Sequence, residues 1–189
     1  MKKWIRIKKQ ATGAMGYLFM FMTVLVLVII TLYMAQVSKL MTHQHHVDDS
    51  LADAVLASLV ADDVYYFETY EMTGTPVVRF RDKDESYAIF KDCMNDAVAS
   101  TDGFYYNFGF DTFICYEVEG NMVTVTEYVG EGGYKQVSTS RVGVVRAPTG
   151  ELVKETSAYG RVRFAIKSII KGDLITKTKD IYCTLEVND

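Results

Sequence analysis

Residues 17–35 read YLFMFMTVLVLVIITLYMA, and they lie within 29 consecutive uncharged residues between Lys9 and Lys39. Twenty helical residues at about 1.5 Å each span roughly 30 Å, the thickness of a bilayer's hydrocarbon core, so this stretch predicts one membrane-spanning helix. Lys2, Lys3, Arg6, Lys8 and Lys9 precede it and acids dominate after it. That bias predicts a single-pass protein of the cell membrane, with its N-terminus cytoplasmic and its C-terminal part extracytoplasmic. A cleaved secretory signal would have a shorter apolar region, of about 7–15 residues, and small residues at its cleavage site. Here Met34-Ala35-Gln36-Val37-Ser38 follows instead, which favours a retained anchor.

The net charge of -4 over 189 residues hides an asymmetry. Residues 1–39 hold six basic groups and no acid, whereas residues 40–189 hold 14 basic and 24 acidic groups. So acidic a domain repels a phosphate backbone, which argues against nucleic acid as a partner. Hydrophobic residues make up 49% of the chain and only two residues are proline, so neither a disordered nor a proline-rich chain is expected.

Past the membrane stretch, Val37, Leu40, Gln44, Val47, Leu51, Val55 and Leu59 recur every three or four residues. This is a helical stripe, and with no Pro or Gly in residues 17–73 it predicts a helix continuing to about residue 65. Three segments follow: a basic cytoplasmic leader (1–13), a continuous helix (14–65, transmembrane 17–35 and amphipathic 36–65), and an extracytoplasmic domain (66–189). In that domain Gly74-Thr75-Pro76 is a breaker and Val77–Phe80 a short strand. A second helix is capped by Asp84, with Tyr87, Phe90, Met94 and Val98 on its apolar face.

From Gly103 onward the period changes to two. Ile114, Tyr116 and Val118, the Glu119-Gly120-Asn121 turn, then Val123 and Val125 spell a hairpin running through Val129. Gly130-Glu131-Gly132-Gly133 is a further turn, Val137–Val145 a further strand, and Pro148-Thr149-Gly150 another turn. Val162, Phe164 and Ile166 oppose Arg161, Arg163 and Lys167, and Ile181, Cys183, Leu185 and Val187 line one face at the end. The class expected is α+β: a long N-terminal helix, then a small domain with an antiparallel β-sheet and one or two short helices.

Cys93, Cys115 and Cys183 lie where disulfides persist, so they are disulfide candidates with three alternative pairings, or else buried small hydrophobes. His43, His46 and Asp49 fall on adjacent helical turns, with His45 and Asp53 nearby, but no fourth ligand is fixed and no metal is expected. Phe104, Tyr106, Phe108 and Phe110 share one strand parity, which reads as core more readily than as a recognition surface. The domain from residue 66 has no histidine, which removes Ser-His and Cys-His nucleophile pairs, and no G-x-S-x-G, P-loop or H-E-x-x-H motif is present. Neither enzyme activity nor a cofactor is expected.

A basic leader, a small-residue junction at Gly13-Ala14-Met15-Gly16, an apolar helix continuing as an amphipathic one, and then an antiparallel sheet: this order resembles a type IV pilin-like protein. It is most similar to the TadE/TadF-like minor pseudopilins of tight-adherence (Flp) pilus systems. The likeness covers residues 1 to about 60 by pattern and the rest by architecture. It implies membrane insertion, processing of the leader between Gly13 and Ala14 by a prepilin peptidase, and a structural role beside other pilin-like subunits or pilus and secretion machinery. Family members usually carry a glutamate five residues after the cleaved glycine, where this chain has Leu18. That departure suits a minor or unprocessed component better than a major pilin. The alternative is a membrane-tethered extracytoplasmic binding or sensor domain of a secretion or conjugation apparatus.

Overall fold

The structure is a computed structural model that describes the backbone of residues 2–75, 77–168 and 172–185 and, among these, the side chains of Gly13 and of residues 15 onward. The side chains of the leader bases and of Ala14, together with Pro76 and Val187, lie outside the described residues. Helix α1 spans Lys2–Ser58, α2 Asp63–Thr73 and α3 Lys83–Ala99. Strands follow at Tyr106–Glu119 (β1), Met122–Val129 (β2), Tyr134–Arg141 (β3), Ser157–Lys167 (β4) and Leu174–Thr184 (β5). The chain divides into two units, Met1–Gln44 and His45–Asp189.

The first unit is helical, and from Met15 the helix is long and apolar enough to cross a membrane. Its large apolar side chains from Met15 to Met34 all stand exposed. The threonine hydroxyls within the apolar run are satisfied by the helix itself: Thr23 Oγ1 donates to the Phe19 carbonyl and Thr31 Oγ1 to the Leu27 carbonyl, each at 2.8 Å. Such back-bonding leaves neither threonine hydroxyl to be solvated, as suits a hydrocarbon surrounding.

The second unit is α+β. Its five antiparallel strands lie in the order β3-β2-β1-β4-β5, so the β1-β2-β3 meander is extended on its other side by the β4-β5 hairpin. One sheet face carries Phe110, Phe113, Cys115, Tyr128, Ala158 and Val162, and it is covered by Leu51, Ala54 and Val55 of α1 and by Tyr87, Phe90 and Met94 of α3. The opposite face is covered over only part of its length, where Ala147 and Val153 pack on Ile114, Tyr116, Val123 and Tyr159. The α1 stripe predicted from spacing is therefore buried at Val47, Leu51 and Val55.

Several boundaries differ from expectation. The helix stops at Ser58 rather than near residue 65, because the next residues pair with the segment before α3: Asp62 N–H donates to the Arg79 carbonyl and Arg81 N–H to the Val60 carbonyl, each at 3.0 Å. Val77–Phe80 forms no strand beyond one bridge, Ala61 to Phe80. Asp82, not Asp84, caps α3, accepting from Asp84 N–H at 2.8 Å, while the Asp84 carboxylate takes Tyr128 Oη at 2.6 Å and Lys135 Nζ at 2.7 Å. The third strand begins at Tyr134 and ends at Arg141, before Gly143 turns the chain with φ +90°.

Candidate functional site

The part of the second sheet face that the described residues leave open holds a group of opposed charges. In register, Phe110 pairs with Val162 but Thr112 with Arg161, so Asp111 is the extra residue of a β-bulge and is aimed at the β4 arginines. Its carboxylate reaches Arg163 Nη1 at 3.5 Å and Arg161 Nε at 3.9 Å. Glu131, from the turn after β2, lies over Gly109: a β-carbon at 109 would stand 2.8 Å from Glu131 Oε1, so a side chain there would shift the carboxylate from this position. These groups line an open cleft of about 490 Å³ with Phe110 and Val129. Its two guanidiniums and two carboxylates balance, and the arginines are about half exposed, so the ion pairs add little stability and leave the cations available for exchange.

No polarised nucleophile accompanies the cleft. Burial pushes the Cys115 and Cys183 thiols up. Tyr159, buried and donating to Asp180 Oδ2 at 3.0 Å, is pushed up to about 12, as is Tyr105, chiefly through burial. Burial also raises Tyr116 and Tyr128. At neutral pH these side chains are protonated donors rather than bases.

The cysteines carry free thiols and pack around one core cluster. Cys115 and Cys183 sit in one row on either side of Ala158, two strand spacings apart. That is roughly 9–10 Å between α-carbons, beyond the reach of about 7 Å that a disulfide allows. On α1, His46 Nδ1 lies 3.5 Å from Ser50 Oγ, and no group of three His, Cys, Asp or Glu side chains among the described residues is placed to hold a metal ion.

The aromatic parity expected over residues 104–110 is broken. Asn107 adopts φ +50° and the register slips between Tyr106 and Gly109, so Tyr105 is buried and stacks edge-on against Phe164 while Tyr106 is 43% exposed. Phe110 joins the core, with Phe108 partly buried beside it. Among the described residues Gly13 and Gly16 have open space around them, so no described neighbour requires glycine at either. Leu18 is exposed among the apolar residues of α1. The Asp111 bulge was hidden because an alternating pattern gives no sign of an inserted residue, although Gly109 between two phenylalanines was a usable hint.

No protein-family model, curated protein or solved structure matches the chain.

Proposed function

We propose that the chain is a bitopic, membrane-anchored structural subunit of pilin-like character, of the minor pseudopilin kind, in a pilus or secretion-type assembly. The observation that carries this reading is the uncovered apolar run of α1, with every large side chain from Met15 to Met34 exposed and every threonine hydroxyl in it satisfied. Such a surface needs lipid or other apolar helices around it. The basic leader and the acidic remainder support an N-terminus in the cytoplasm and a C-terminal unit outside.

Within this reading the neighbours are the bilayer and other pilin-like subunits or assembly proteins, and no cofactor takes part. Processing after Gly13 would remove five leader cations, each worth roughly 1 kcal/mol of attraction to an anionic inner surface, and free the helix to leave the bilayer laterally. Mass spectrometry of protein from its native cells tests this: a terminal peptide beginning at Ala14, abolished by Gly13→Leu, is expected. Recovery of Met1 or Lys2 as the terminus in cells with an active prepilin peptidase would remove the processed-pilin reading and leave the anchored binding domain, which the open Asp111–Arg163 cleft favours.

A further inference from the structure

Helix α2 buries none of its side chains, yet it is firmly held. An isolated helix of 11 residues is marginal in water, so its order comes from pins along one side. Asp62 caps it, accepting Tyr65 N–H at 3.1 Å and Arg79 Nη2 at 2.9 Å. The Arg79 guanidinium lies 3.5 Å from the centre of the Tyr65 ring, and Tyr65 Oη donates to Glu119 at 3.1 Å. Farther along, Thr69 Oγ1 accepts Val77 N–H at 3.1 Å, and Gly74 closes the helix at φ +70°, its N–H donating to the Tyr70 carbonyl.

The pinned side leaves the opposite one outward, and it is largely apolar: Val64 is 68% exposed, Phe67 62% and Tyr70 56%. Val64, Phe67 and Glu71 follow the i, i+3, i+7 spacing of a helix ridge. Asp63, Glu68 and Glu71 are exposed on the helix, which carries no base, and none of the ion pairs among the described residues uses them. A surface both apolar and anionic is repelled by anionic lipid and matched by an apolar surface with a cationic border.

We propose that α2 is a docking ridge for a protein partner that presents an apolar groove rimmed by Lys and Arg. The polar pins preorganise the helix, so association need not order it, and Val64 and Phe67 enter the groove as anchors while Glu68 and Glu71 face the rim. The proposal is independent of the pilin-like reading, because α2 belongs wholly to the unit His45–Asp189.

The test is photo-crosslinking of the full chain in its native cells, with a photoreactive amino acid at position 67 and sequencing of the crosslinked peptide. Crosslinks to an apolar, Lys/Arg-flanked segment of another protein are expected, falling at least about tenfold with Glu68→Lys plus Glu71→Lys. Thermal melting should be unchanged in that variant, since neither glutamate is buried or paired. Phe67→Ser, with the photoreactive group moved to position 70, should lose the same crosslink. Crosslinks to lipid or to a second copy of this chain, no crosslink at all, or a crosslink indifferent to charge reversal would overturn the proposal.

Discussion

Gly160 of β4 and Val55 of α1 meet so closely that a β-carbon on the glycine would stand 2.7 Å from Val55 Cγ2. Phe90 of α3 closes on the same point, its Cε2 at 2.8 Å from that position. Both helices therefore reach the sheet through one missing side chain. Gly160→Val should destabilise the protein by at least about 2 kcal/mol, since overpacking here displaces a β-branched residue and a stacked ring together. Chemical denaturation of the full chain in detergent checks it, and an unchanged midpoint would mean that the helices do not seat there.

The α1 stripe gives a paired prediction. Leu51 is 1% exposed and Leu56 is 52% exposed, five residues apart on one helix. Leu51→Asp should cost about 3–5 kcal/mol by burying an unpaired charge, whereas Leu56→Asp should stay within about 0.5–1 kcal/mol. Equal effects in the same melt would refute the burial of that face.

Alkaline pH should unfold the protein through its tyrosines. Tyr105 and Tyr159 have folded pKa values raised to about 12, burial being the first cause in both. A raised folded pKa means that stability is fully present below the unfolded value, about 10, and is lost as pH climbs from there towards the folded value. Tyr105 and Tyr159 should thus become tyrosinate cooperatively with unfolding, seen as a sharp step in absorbance. Tyr159→Phe should flatten the loss of stability between about pH 10 and pH 12, whatever it does to stability at neutral pH. A single smooth titration of all the phenols, without unfolding, would contradict the packing.

The sheet and the two core-forming helix faces were legible because half-buried elements impose a period, as at Val162, Phe164 and Ile166 or at Leu51 and Val55. The end of α1 was not, since no glycine or proline marks it: backbone pairing of residues 60–62 with 79–81 stops the helix, a tertiary cause with no local signature. Asp62 was a readable cap that the continuous pattern obscured. Helix α2 escaped because its apolar residues serve no internal core, and the charged cleft because it rests on one inserted residue, Asp111, and one absent side chain, at Gly109.

The proposed membrane anchoring is tested most directly by labelling lysines with a membrane-impermeant reagent in intact cells stripped of any wall, then mapping the modified residues and washing the membranes at high pH. Lys154, Lys167 and Lys177 are exposed in the sheet unit, whereas Lys8 and Lys9 precede the apolar run. The account predicts that the first three are labelled in intact cells, that Lys8 and Lys9 of any unprocessed chain are labelled only after permeabilisation, and that the protein stays in the membrane through the wash. Labelling in the reverse order, or release by the wash, would contradict it.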